Sequence, residues 1–180
     1  MCAGAHFGVF GTMIPASHGQ RPDRGAFRDA MARVACAVHI VATDGVAGLA
    51  GITANAVTSV SDSPAIMLVC VNRTIHSAPR FLANRNFCIN TLAATDKALA
   101  EDFAGRTGLH LEARFVRGVW GKLVSGAPVL ASAIAIFDCR LMEVRDVATH
   151  HLLIGEVLAV RHLPGATCLA YHDRNYLDVK

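Results

Sequence analysis

Hydrophobic and polar positions change period several times along the chain, and each change marks an element. Phe27, Ala30, Met31 and Val34 recur at helical spacing while Arg24, Arg28, Asp29 and Arg33 fall elsewhere, and Asp23 is a good N-cap. This predicts a helix from Asp23 that packs one face on a core. From Cys36 to Thr43 the pattern becomes apolar and strand-like, Asp44-Gly45 signals a tight turn, and a second strand begins near Leu49. Ala65 to Val71 has neither charge nor glycine and carries Ile66, Val69 and Val71, which predicts a buried strand ending at Asn72-Arg73. Ser77 caps a short helix with Pro79 near its first turn, running through Phe81 and Leu82 to Arg85. Asn86 to Leu92 reads as another strand. Thr95 then caps a helix whose Ala98, Leu99 and Phe103 share a face and which stops at Gly105.

The next segment, Arg106 to Gly126, is broken by Gly108, Gly118, Gly121 and Gly126, so an irregular connection around Trp120 is expected. Pro128 leads into a strand-like run from Ala131 to Val144, a turn at Arg145-Asp146 returns into a strand from His150 to Arg161, and Cys168 to Tyr171 closes the sheet. The sum is about seven strands and two or three short helices without regular βα alternation, which predicts a mainly β fold, an antiparallel barrel with helical embellishment. Residues 1–20, rich in Gly and His, read as an irregular N-terminal arm whose His6 and His18 are better explained as an exposed tail than as metal ligands. Residues 21–180 then form a single domain, as a chain of this length allows.

Composition narrows the function classes. The apolar fraction of 53% against 17% charged residues calls for burial in a core or against a second subunit, so a homo-oligomer is expected. A net charge of +3 without any Lys/Arg run gives no nucleic-acid footprint. No apolar run reaches the length of a membrane span, and the first twenty residues lack the basic start of a secretory signal. Cys2, Cys36, Cys70, Cys88, Cys139 and Cys168 stand singly, as buried thiols in a reducing compartment do, so the cytoplasm is the expected location.

Common chemical signatures are missing. There is no G-x-G-x-x-G after a strand, no Walker lysine loop, no H-E-x-x-H and no G-x-S-x-G. The histidines show no closed ligand spacing, and His150 and His151 point to opposite faces of a strand, so no metal site is expected. One stretch stands out. From Gly48 to Arg73, Thr53, Asn55, Thr58, Ser59 and Ser61 are separated by small apolar residues, so that backbone and short donors can approach a flat or anionic ligand. The same residues also suit a β-hairpin whose hydroxyls satisfy turn backbone.

A resemblance adds to this reading. Phe-Arg-Asp-Ala-Met-Ala at 27–32, Gly51-Ile-Thr-Ala-Asn-Ala-Val-Thr-Ser-Val-Ser-Asp-Ser-Pro64, Val69-Cys-Val-Asn-Arg73, Phe87-Cys-Ile-Asn-Thr-Leu92, Phe103-Ala-Gly105, Ala127-Pro-Val-Leu130, and Thr149-His150 before Ile154-Gly-Glu-Val157 resemble the short-chain flavin reductase family. Within it, the stretch from Phe103 to Phe115 most resembles the reductase components of 4-hydroxyphenylacetate 3-monooxygenases, with the pyrimidine-degradation flavin reductases close behind. The resemblance implies an FMN-binding split barrel, a homodimer, and reduction of FMN or FAD by hydride from NADH or NADPH. Reduced flavin would pass to a separate flavin-dependent monooxygenase.

Carried over by position, the resemblance implies that Thr53, Ala54, Asn55 and Ala56 border the flavin ring and ribityl chain, with Ser59, Val60 and Ser61 on the same wall. Asn72, Arg73, Thr74 and Ser77 would take the flavin phosphate, a site where a guanidinium and hydroxyls suit the anion. Phe103, Ala104 and Gly105 would lie near the flavin edge, His150 beside the nicotinamide as the catalytic candidate, and Tyr176 in a C-terminal aromatic motif. Where the family often has Gly-Asp before that histidine, this chain has Ala148-Thr149. That departure motivates a rival expectation, a flavin-binding or storage protein without nicotinamide turnover. A split-barrel enzyme of other chemistry, such as a pyridoxamine-phosphate oxidase relative, fits the order of the Thr-Ala-Asn and Phe-Ala-Gly motifs less well.

Overall fold

The computed structural model describes residues 21–180. Its core is a seven-stranded antiparallel sheet in the order β3 (Ala50–Ala54), β2 (His39–Thr43), β6 (Asn86–Thr91), β9 (Ala135–Val147), β10 (His150–His162), β5 (Ala65–Asn72), β4 (Val57–Asp62). The outermost strands, β3 and β4, are neighbours in sequence, joined only by Asn55-Ala56. In a flat sheet six interstrand spacings would set them roughly 29 Å apart. The three Cα steps from Ala54 to Val57 span at most about 11 Å. The sheet therefore curls until its edges come close without pairing, and the split barrel has its seam at Asn55-Ala56. Hydrogen bonds from Val57 N to Asn55 O at 2.9 Å and from Cys70 N to Ala56 O at 3.0 Å fix the seam.

Strand alternation divides the interior into two clusters. On one face Val38, Ile40, Cys88 and Ile136 pack under Leu99, Ala100 and Phe103 of α3 (Lys97–Phe103). On the other, inside the barrel, Val41, Val69, Phe87, Ile89 and Leu153 pack with Phe81 of α2 (Ala78–Asn84). Two glycines permit this closeness. A Cβ at Gly51 would stand 2.5 Å from Phe103 Cε1, and one at Gly155 would enter the Phe87 ring. A smaller sheet, β1 (Cys36–Ala37), β11 (Cys168–His172) and β12 (Asn175–Val179), and the pair β7 (Trp120–Lys122) and β8 (Pro128–Leu130) complete the strands.

Several expectations are corrected. Helix α1 (Arg24–Ala32) forms, and Asp23 caps it by accepting from Ala26 N at 2.9 Å, but it has no buried residues: Phe27 is 58% exposed. Its apolar face meets no core. Thr95 does not cap α3, because the chain enters through a 3-10 turn in which the buried Asp96 accepts from Ala93 N and Ser132 Oγ. The predicted run from Ala131 begins at Ala135, since Pro128–Leu130 pairs with Trp120–Lys122 as a separate strand. It also extends past Arg145-Asp146, which pair with Leu152 and His151, and turns at Ala148-Thr149, where Ala148 has a φ of 49°. Strand β12 was not anticipated. The described residues hold twelve strands rather than about seven, five of them short pieces of the two smaller sheets. Cys88 and Cys139 are buried thiols, whereas Cys36, Cys70 and Cys168 are only half-buried. The arm with Cys2, His6 and His18 lies outside the described residues. No helix among the described residues is long and apolar enough to cross a membrane.

Candidate active site

The barrel seam opens into a cavity of about 430 Å³. Its floor is the seam itself, Thr53 to Ala56, where alternation and small side chains expose backbone. Strand β5 buries Met67, Val69 and Val71 in the barrel and turns its other face outward, so Cys70 and Asn72 line the cavity. The antiparallel register sets His150 directly opposite Asn72 and brings it to the same wall. Ser77, just before α2, and Phe103 and Ala104 at the end of α3 close the sides.

Hydrogen bonds fix what these side chains can still offer. Thr53 Oγ1 donates to Ala100 O at 2.7 Å and so ties the seam to α3. Asn72 Oδ1 accepts from both Thr74 N and Thr74 Oγ1 at 3.0 Å, which leaves the amide NH2 of Asn72 as a donor. His150 Nδ1 pairs with Thr149 Oγ1 at 2.9 Å, leaving Nε2 for a ligand.

A roof covers the cavity. It is the 3-10 turn Leu111–Val116, with His110, Leu111 and Arg114 on the cavity side. Arg80 of α2 pairs with Glu112 and donates to Leu49 O at 2.6 Å, while Arg117 donates from Nε to the buried Asp102 carboxylate at 2.9 Å. Phe115 packs edge-on against Phe103 with centroids 4.8 Å apart. A second cavity of about 240 Å³ shares Thr53, Asn55 and Ala104 with the first and adds Arg106, Tyr171 and Tyr176. There the two tyrosine rings lie 5.3 Å apart, Arg106 stands 5.9 Å from the Tyr176 centroid, and burial raises the Tyr176 phenol pKa.

Of the anticipated site residues, the main cavity gathers Thr53, Ala54, Asn55, Ala56, Asn72, Ser77, Phe103, Ala104 and His150. Tyr176 lines only the adjoining cavity. Ser59, Val60 and Ser61 lie on β4, away from the lining, where a bulge shifts the register between Ser59 and Ser61. Thr74 is used internally by Asn72, and Gly105, with a φ of 74°, turns the chain out of α3. Arg73 also lies off the cavity: it donates to Ala148 O at 3.4 Å and faces Asp146 at 3.7 Å, because the β9–β10 turn supplies it with acceptors. The sequence reading missed Cys70, His76, His110, Leu111 and Arg114. The last three sit in an aperiodic segment, and only the Arg114-Phe115 pair after the glycines hints at an anchored loop.

The flavin reductase like domain family matches residues 31–180. The chain belongs to this family. An FMN reductase (NADH) RutF 2 of Methylorubrum extorquens (strain PA1) is 50% identical over 151 residues, covering 84% of this chain and 87% of that protein. Among solved structures, one described as a candidate flavin reductase from Haemophilus somnus 129pt has a TM-score of 0.84 at 39% identity, covering 88% of this chain and 100% of that one. The NADH:FAD oxidoreductase SgcE6 of Streptomyces globisporus C-1027, in complex with NAD and FAD fragments, has a TM-score of 0.78 at 28% identity, covering 86% of this chain and 92% of that one. The family's flavin fits the residues present. The cavity volume is that of a small-molecule site, Ile52, Ala54 and Ala56 form an apolar wall for a planar ring, and donors remain on Asn72 and His150.

Proposed function

We propose that this flavin reductase oxidises NADH and reduces FMN, which it hands to a separate flavin-dependent oxygenase. The observation that carries the reading is the seam cavity, where Thr53–Ala56, Asn72 and His150 line one space of about 430 Å³. Bound flavin supplies a ring that accepts hydride from nicotinamide C4. The chain's part is to orient the two rings and keep water out. The alanines of the seam let the ring approach backbone, Asn72 offers its amide donors, and His150 presents Nε2 to the nicotinamide.

The preference for FMN and NADH rests on the RutF relatives. They support an oxygenase partner of the pyrimidine-degradation type ahead of a 4-hydroxyphenylacetate oxygenase. The chain works as a homodimer in the cytoplasm. Ile66 and Leu68 are half-buried on the outer face of β5 and Val60 is 55% exposed on β4, an apolar strip that a second copy would cover. Steady-state NADH oxidation tests the reading. Turnover should require added flavin, favour FMN over FAD and favour NADH over NADPH. Flavin binding without NADH oxidation would instead support the binding or storage protein.

A further inference from the structure

The two halves of the roof are held in different ways. From Arg114 onward it is anchored in the body of the molecule. Arg114 donates from Nη1 to Phe103 O at 3.2 Å and Gly51 O at 3.3 Å, Phe115 packs on Phe103 and Trp120, and Arg117 reaches the buried Asp102. At the other end Arg106 is fixed to α3 through Glu101 at 2.9 Å. Between these anchors, Thr107 to Glu112 has no buried residue, and only Leu109 and Leu111 are half-buried. From Thr107 to His110 no backbone N–H donates to another backbone group among the described residues. Gly108 has a φ of 77°, and a Cβ there would meet nothing within 4 Å. Sparse packing and unpaired backbone are what local opening requires.

Two contacts tie this half down. Arg114 donates from Nε to Leu109 O at 3.0 Å, within the roof, and Glu112 pairs with Arg80 of α2. Arg80 also donates to Leu49 O at 2.6 Å, so its end of the pair is fixed to the body. The Glu112 side chain is 57% exposed, which leaves the pair screened by solvent and weak. Neither Arg80 nor Glu112 lines the cavity.

The pair also holds a strained residue in place. Leu111, next to Glu112, has a φ of 43°, the left-handed region in which the Cβ of a leucine crowds its own backbone. Leu111 and His110 line the cavity, so the strain sits in the part of the roof that covers the ligand space. A strained residue under a weak ion pair makes an element with two states. Resting on the flavin reductase reading, we propose that Thr107–Glu112 is a lid, latched by Arg80–Glu112, whose opening sets the rate at which flavin enters and leaves the seam cavity. A reductase that hands its reduced flavin to another protein opens its site in every turnover, and relief of the Leu111 strain favours that step.

The test is stopped-flow fluorescence of the full-length protein with FMN and with riboflavin, following association and release. Glu112→Gln should speed both steps by about two- to fivefold, the range for an exposed ion pair, and leave Kd within about 1.5-fold. Both rates rise together because the latch closes the lid equally over an empty and a filled cavity. Riboflavin carries no charge, so raising the ionic strength should speed its exchange in the wild type through the latch and leave Glu112→Gln unaffected. Unchanged rates in Glu112→Gln would overturn the proposal. So would faster release with Kd weakened in proportion, the signature of a lost ligand contact. Wild-type protein that binds neither flavin would remove the flavin reductase reading, whereas unchanged rates in a variant that still oxidises NADH would remove the lid alone.

Discussion

Helices α1 and α3 carry the same kind of signal in the sequence and meet opposite fates. Both place apolar residues at helical spacing, and both were expected to bury one face. α3 does: Leu99, Ala100 and Phe103 are buried over β2 and β6, and Phe103 continues into the cavity wall. α1 has Phe27 and Met31 about half exposed, as is Val34 just beyond its end. Periodicity specifies which face is apolar but not what covers it. The difference also separates the part of the molecule that lines the cavity from a part that stays exposed.

The largest expected effect lies on the sealed side. Phe103→Ala should cost about 3 to 5 kcal/mol of stability by denaturant titration, since it removes a buried ring that Phe115 and Trp120 pack against. The pH response tests the same sealed sheet. His39 on β2 pairs with Thr91 at 3.0 Å, and burial lowers its pKa from 6.5 to about 4. The folded state therefore keeps His39 neutral while the unfolded chain takes up a proton below 6.5. Its contribution is complete above pH 6.5 and declines by up to about 1.4 kcal/mol per unit as pH falls toward 4. His39→Gln should flatten that slope.

Gly51→Ala comes next, at about 1 to 3 kcal/mol, because the new methyl meets the Phe103 and Phe115 rings. It should also raise the KM for flavin, since those rings shape the cavity. The smallest effect belongs to α1. Phe27→Ser should change the stability of the subunit by less than about 0.5 kcal/mol. A loss near that of Phe103→Ala would mean that α1 is sealed after all, by a partner, and light scattering of the variant would then show weaker self-association.

The legible parts of the fold are those set by local rules. Asp23 as a cap, Pro79 in α2 and the strands Ala65–Asn72 and Asn86–Thr91 follow from side-chain and backbone preferences, whereas the turn expected at Asp44-Gly45 closes one step later, from Gly45 to Gly48. The Thr53–Ala56 stretch, whose side chains are small, was recognisable as a place where backbone can be approached, and it lines the cavity. The roof was not legible. Leu111 to Arg114 is held by Arg80–Glu112, Arg117–Asp102 and the hydrogen bond that Arg114 Nη1 donates to Gly51 O, contacts between residues distant in sequence that leave no period behind. Arg73 shows the converse. Its position after a strand suggested an anion site, yet the β9–β10 turn, whose place at Ala148-Thr149 was also missed, provides its partners.

The central claim is that the seam cavity brings NADH and FMN together for hydride transfer. Anaerobic stopped-flow absorbance of the protein with FMN, on adding NADH, tests it most directly. The account predicts rapid loss of the oxidised-flavin band with NADH and a slower response to NADPH. Bound FMN that stays oxidised with either nucleotide would contradict it and leave the cavity a flavin-binding site only.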